Sequence, residues 1–82
     1  MHYVYIVRCI DDTLYTGYTI DMEKRIKAHN KGNGAKYTRG RLPVKLCFYE
    51  EYDTKSEAMR REYKIKHLSR KKKLDLIGGN NK

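Results

Sequence analysis

Tyr3-Val4-Tyr5-Ile6-Val7-Arg8-Cys9, then Asp11-Asp12-Thr13, then Leu14-Tyr15-Thr16-Gly17-Tyr18-Thr19 is the stretch that decides the fold. The first run is almost wholly β-branched and aromatic, the side chains that fit a pleated surface best. Asp-Asp-Thr supplies turn chemistry, because short polar side chains bond to nearby backbone. Two strands joined by so short a loop read as an antiparallel hairpin over residues 3–19. Loop parity then matters for chemistry as well as for fold. With an odd loop at 11–13, Cys9 faces Tyr15 and Tyr5 faces Thr19, and Tyr5 and Tyr15 emerge on one face. An even loop puts them on opposite faces.

Beyond the hairpin, Asp21 is placed to cap a helix over 22–30, closed by Lys31-Gly32. Residues 31–42 form a Gly-rich basic loop without periodicity, ended by Pro43. A third strand follows over 44–52. Thr54-Lys55-Ser56-Glu57 carries the capping-box pattern and opens a second helix over 55–67. Ser69 caps a third helix through Ile77, stopped by Gly78-Gly79, with residues 78–82 expected to fray. No repeat or linker interrupts the chain. The expected architecture is one α+β domain over 1–82, with its core at about 3–77 and the order β-β-α-β-α-α: a small antiparallel sheet with helices packed on it.

With 82 residues, 19 Lys+Arg and 10 Asp+Glu, the chain carries +9 and has room for one small core. Only 39% of residues are hydrophobic, but eight tyrosines add large rings that bury with a polar tip. No apolar run approaches the roughly 18 residues of a membrane span, and MHYVYIVRC has no basic n-region. The expectation is a soluble cytoplasmic protein, monomeric by default, with Cys9 and Cys47 reduced and mostly buried. The charge is uneven: residues 1–23 hold one basic and four acidic side chains, whereas 24–82 hold eighteen and six. A basic domain of this kind points to a polyanionic partner, nucleic acid ahead of a membrane surface.

Periodicity picks out ionisable groups where a structural helix would place leucine. In the first helix Arg25 and His29 lie on or beside the stripe of Met22 and Ile26. In the second, Glu62 falls between Ala58 and Ile65. A carboxylate facing inward is costly unless paired or bound to a cation. Four readings of Glu62 stay open here: a salt bridge to Arg25 or Arg61, exposure at the edge of the stripe, a divalent-cation ligand, or a general acid or base. Tyr5 and Tyr15, taken singly, read first as strand core and only second as catalytic groups. Together, two tyrosines, an arginine, a histidine and a carboxylate on one concave surface suit a phosphodiester, since cationic groups neutralise charge and Tyr or His manages a proton.

Tyr3-Val4-Tyr5, Tyr15-Thr16-Gly17, Arg25-x-x-x-His29 and Ala58-x-x-x-Glu62, in this order, resemble the GIY-YIG nuclease domain, most of all its short stand-alone bacterial members. The resemblance covers about residues 3–77. It implies a three-stranded antiparallel sheet flanked by helices, and cleavage of DNA phosphodiester bonds with Mg²⁺ or Mn²⁺. By position it implies Tyr5 and Tyr15 as the motif tyrosines, Gly17 as a site of close backbone approach, and Arg25 on the scissile phosphate. It also implies His29 for proton transfer or positioning, and Glu62 as the metal-binding glutamate. The chain departs from the motif at Tyr3, Val4 and Thr16. It also has no Asn between Glu62 and Asn80, where many family nucleases use one, Ser69 being a potential substitute.

The preferred expectation is thus a one-metal endonuclease acting in DNA repair, recombination or processing. Tyr5, Tyr15, Arg25, His29 and Glu62 form its catalytic set, and Glu62 holds the metal. Lys36, Arg39, Arg41, Arg70, Lys71, Lys72 and Lys73 are candidate contacts to the nucleic-acid backbone. One alternative is a non-catalytic nucleic-acid-binding module with the same fold; another is a small basic protein associated with RNA or ribosomes.

Overall fold

The computed structural model describes residues 1–79. Three strands, β1 (His2–Arg8), β2 (Leu14–Thr19) and β3 (Lys45–Tyr52), and three helices, α1 (Met22–Asn30), α2 (Lys55–Lys66) and α3 (Arg70–Gly79), follow the expected order. The sheet is wholly antiparallel, in the order β2-β1-β3. α3 continues through Gly78 and Gly79, so the expected stop at Ile77 comes two residues late. Of the residues 78–82 expected to fray, Gly78 and Gly79 lie within α3, and 80–82 lie outside the described residues.

The hairpin register differs from the expected one by two residues. Cys9 donates to the Thr13 carbonyl and Asp12 to the Cys9 carbonyl, both at 2.9 Å, and Asp12 takes φ 70°. The loop is therefore residues 10–12, a tight turn followed by a left-handed residue, a position that Asp tolerates. Tyr5 consequently faces Gly17 rather than Thr19, and Val7 faces Tyr15. The loop is still odd, so Tyr5 and Tyr15 share a face as the odd-loop reading requires.

β1 is the central strand, and Val4, Tyr5, Ile6 and Val7 are all 0% exposed. Alternation divides them. Val4 and Ile6 join Phe48 and the buried Ala58 and Ile65 of α2, with Leu76 and Ile77 of α3 packed alongside. Tyr5, Val7 and Cys9 join Val44, with Met22 and Ile26 of α1 beside them. A bulge at Cys47, between the pairs Ile6–Phe48 and Val7–Leu46, bends β3. Cys9 is buried as expected, whereas Cys47 is only half-buried. Asp21 caps α1 by accepting from Lys24 N at 3.1 Å, and Thr54 caps α2 by accepting from Glu57 N at 3.2 Å. Among the described residues no helix is long and apolar enough to cross a membrane.

α2 is tied to β3 by Arg61, whose Nε and Nη2 donate to the two carboxylate oxygens of Glu50 at 2.8 and 3.2 Å. Tyr52 Oη donates to the same carboxylate at 2.7 Å. Burial alone would push the Glu50 carboxyl up, but the hydrogen bonds from Arg61 and Tyr52 outweigh it and hold it below its ordinary value of 4.5. A depressed carboxyl adds stability above its unfolded pKa, and this is lost as pH falls through the folded value. In Arg61→Met, carboxyl NMR titration is expected to show Glu50 titrating at higher pH than in wild type, and acid unfolding is expected to begin at higher pH.

Candidate active site

Tyr5 lies across the edge strand. A Cβ at Gly17 would sit 2.5 Å from Tyr5 Cζ, so the ring passes directly over the β2 backbone. Only glycine at this register position leaves room for it. Gly17→Ala is expected to push Tyr5 off its partners, at a cost of about 1–3 kcal/mol from overpacking. Thermal melts and the Tyr5 and His29 ring NMR shifts measure both effects.

The Tyr5 hydroxyl is the centre of a hydrogen-bond chain in which every proton can be assigned. Thr38 Oγ1 donates to the Ala35 carbonyl at 3.1 Å, which uses its only hydrogen. At 2.9 Å from His29 Nδ1 it must then accept, so Nδ1 carries the imidazole proton. His29 Nε2 is left as an acceptor 2.9 Å from Tyr5 Oη, and Tyr5 donates to it. Arg25 Nε donates to Tyr5 Oη at 3.2 Å. The chain therefore runs in one direction, from Arg25 through Tyr5, His29 and Thr38 to the Ala35 carbonyl. Burial, followed by the charge of Arg25, holds His29 below its ordinary 6.5, so the imidazole is neutral at pH 7. Burial raises Tyr5; the Arg25 bond and charge pull against this, and the charges of Tyr15 and Glu62 add to it. Tyr5 rests protonated.

Helical spacing places Arg25 and His29 here, one turn apart on the inward side of α1 as the stripe predicts. His29 is 0% exposed and Arg25 half-buried. The Tyr5 bond holds the Arg25 proton more firmly than usual, against the effect of burial. Tyr15 closes the site: its ring centroid lies 5.5 Å from that of His29 and 6.4 Å from that of Tyr5. Tyr37 stacks on Tyr15 at 5.8 Å, and the Arg41 guanidinium lies 4.3 Å from the Tyr37 ring centroid.

Glu62 is half-buried on α2 between Ala58 and Ile65, both 0% exposed, and so faces the sheet. Among the described residues it forms no ion pair and no hydrogen bond. Both arginines expected as its partners are engaged elsewhere, Arg61 with Glu50 and Arg25 with Tyr5. Its charge is felt at Tyr5, where it adds to the upward shift of the hydroxyl. α2 covers the opposite sheet face, while Tyr5 reaches across Gly17 on the edge strand β2.

No three His, Cys, Asp or Glu side chains among the described residues gather as a metal cage. A zinc-like site needs such a cage; Mg²⁺ does not, since it keeps several waters and takes substrate phosphate oxygens around one or two carboxylates. An inward carboxylate without a cationic partner fits the second type.

The basic residues divide into two sets. Lys36, Arg39, Lys71 and Lys72 are exposed, and Lys73 is half-buried. Arg41 donates to Asp11 at 2.8 Å, and Arg70 to the Asp12 carboxylate at 3.1 Å and its carbonyl at 2.8 Å. These two arginines brace the hairpin turn, and the turn carboxylates offset part of their charge. Ser69 caps α3, accepting from Lys72 N at 3.3 Å. Thr38, Gly34 and Tyr37 belong to the site without having been singled out in the sequence. A Cβ at Gly34 would lie 2.5 Å from His29 Cγ, so this glycine lets the loop close over the imidazole. Three glycines in a basic loop read as flexibility, and nothing distinguishes the one that makes a close approach.

The tyrosine pair, Arg25 and the buried His29 gather on one side of a three-stranded sheet, and Glu62, unpaired among the described residues, lies on α2 against the other. Residues 1–75 match the family model described as the GIY-YIG catalytic domain, and the chain belongs to that family. Its relatives are short UPF0213 proteins. One from Staphylococcus saprophyticus is 63% identical over 76 residues, covering 93% of each chain. Another, from Halobacterium salinarum, is 62% identical over 73 residues, covering 89% of this chain and 95% of its own. The solution NMR structure of a UPF0213 protein from Bacillus halodurans is 56% identical with a TM-score of 0.61, covering 94% of this chain and 82% of that one. That of a protein from E. faecalis is 40% identical with a TM-score of 0.65, covering 98% and 85%.

Proposed function

We propose that this chain is a divalent-metal-dependent endonuclease domain that hydrolyses DNA phosphodiester bonds in repair, recombination or processing, in the cytoplasm. The observation that carries this reading is the one-directional hydrogen-bond chain at Tyr5, set beside Arg25 and an uncompensated Glu62. Neither His29 nor Tyr5 has exposed surface, so the relay requires a water that reaches Tyr5 Oη where it meets half-buried Arg25. Tyr5 Oη takes a proton from the attacking water as its own proton passes to His29 Nε2. The imidazolium so formed keeps its Nδ1–H on Thr38. The new hydroxide attacks phosphorus, the P–O bond to the leaving sugar oxygen breaks, and that oxygen takes a proton from solvent. Arg25 has only its Nε engaged by Tyr5, which leaves guanidinium N–H groups to stabilise charge on the phosphoryl oxygens. Tyr15 packs the imidazole in place. Glu62 would hold Mg²⁺ or Mn²⁺, which when bound neutralises phosphoryl charge and lowers the pKa of its water. Lys36, Arg39, Lys71, Lys72 and Lys73, with Arg41 and Arg70, supply contacts to the backbone of DNA, or of RNA.

A non-catalytic binding module is the second reading, favoured by one observation: Ser69, the potential substitute for the missing Asn, is engaged as a helix cap. Nicking assays on branched, nicked and single-stranded DNA with Mg²⁺ and Mn²⁺ separate the two. The nuclease reading predicts cleavage by wild type and its loss in Glu62→Ala and Arg25→Ala. Binding without cleavage in all three supports the module.

A further inference from the structure

A cavity of about 370 Å³ adjoins the tyrosine site, lined by Leu14, Tyr15 and Thr16 of β2, Tyr37 of the loop, Lys66 of α2 and Lys73 of α3. Four parts of the fold converge on it, and the mechanism above uses only Tyr15, as packing for the imidazole, and Lys73, as one of several backbone contacts. Its two lysines form no ion pair with an acid among the described residues. Burial, then the charge of Lys66, holds Lys73 below its ordinary value, so the two ammonium groups sense each other. Two like charges converging in a partly enclosed space are unfavourable unless an anion joins them. Thr16 is 3% exposed, and its Oγ1 is a buried side-chain atom without a hydrogen-bond partner. A buried hydroxyl left unsatisfied is destabilising, and threonine stands here where the second family triplet has isoleucine. The valine isostere would avoid that cost.

We infer that Thr16, Lys66 and Lys73 form a phosphate subsite that takes the phosphodiester next to the scissile one on the same strand. This rests on the nuclease reading for its place in the reaction. Two features fix that place. Tyr15 is a shared wall, packed on His29 and lining this cavity. Lys66 follows Glu62 by four residues, on the same side of α2 and about 6 Å further along its axis at ~1.5 Å rise per residue. A strand whose scissile phosphate sits at Arg25 and Glu62 therefore brings its neighbouring phosphate to the two lysines. The Thr16 hydroxyl turns to donate to a phosphate oxygen, and Lys66 and Lys73 neutralise the charge.

The test measures binding of a short single-stranded oligodeoxynucleotide, and separately of inorganic phosphate, without divalent metal, by fluorescence anisotropy and amide NMR shifts. Lys66→Ala and Lys73→Ala are each expected to weaken oligonucleotide binding about tenfold and to lower the salt slope by about one. Lys45→Ala, which removes an exposed charge on β3, sets the non-specific effect and is expected to cause a smaller loss. Thr16→Val is expected to weaken binding several-fold while its melting temperature stays level or rises, and Thr16→Ser is expected to bind like wild type. Equal binding by wild type, Thr16→Val and Thr16→Ser, with lysine losses no larger than in Lys45→Ala, overturns the subsite. Shifts at Thr16 and Lys73 with inorganic phosphate but not with the oligonucleotide overturn the strand assignment. If these losses appear but no metal-dependent cleavage is found, the subsite stands and the nuclease reading falls. If cleavage occurs and the subsite variants bind and cut like wild type, the subsite alone falls.

Discussion

Glu62→Gln is expected to lower metal-dependent DNA cleavage by on the order of 10³-fold, the scale on which a single preorganised charge contact acts. The substitution keeps the size of the side chain and removes its charge. Because Glu62 has no cationic partner among the described residues, its loss orphans no buried arginine, and the melting temperature is expected to stay level or rise. Oligonucleotide binding without metal is expected to persist, since a negative charge has left a basic surface. Mn²⁺ binding, followed by the relaxation of solvent protons, is expected to weaken in parallel with activity. A variant that binds Mn²⁺ and cuts like wild type would remove Glu62 from the metal site.

Tyr5→Phe is expected to cost about 10²–10⁴ in rate, the range of a lost general acid–base group. It also has a structural signature, because His29 Nε2 loses its donor and Arg25 Nε its acceptor inside a buried cluster. Leaving such groups unsatisfied costs about 1–3 kcal/mol of stability. The two effects separate through pH. In wild type the relay needs neutral His29, whose pKa lies below 6.5, so the rate is expected to fall as pH drops through that depressed value. Stability follows the same direction: the unfolded chain binds this proton more readily, so the neutral-histidine contribution is present above the unfolded pKa and is lost as pH falls through the folded one. Tyr5→Phe is expected to abolish the acid limb of the rate profile, since no proton then passes to His29. An unchanged limb would place the base elsewhere.

The sequence makes the frame of this site legible because the frame is periodic. Strand alternation puts Tyr5 and Tyr15 together, and helical spacing puts Arg25 with His29 and sets Glu62 inward. The register slip of two residues was not legible: Asp12 rather than Thr13 ends the turn, and only its left-handed backbone reveals that. The slip nevertheless matters, because it sets Gly17 rather than Thr19 beneath the Tyr5 ring. Glu50 is hidden in a strand whose alternation is blurred by the bulge at Cys47, so the sequence points Arg61 to Glu62 on its own helix rather than to Glu50 on β3. Thr38 lies in a loop without period, where a buried hydroxyl looks like any other polar residue. Its role follows only from three-dimensional contact with His29.

Cleavage in H₂¹⁸O tests the central claim most directly. Wild-type protein, DNA and Mg²⁺ or Mn²⁺ are incubated in labelled water, and the new terminal phosphates are analysed by mass spectrometry. The site described here predicts one ¹⁸O per cut, with labelled cuts falling steeply in both Glu62→Gln and Tyr5→Phe. Cuts without label, or labelled cuts at wild-type rates in both variants, would contradict water attack at this site.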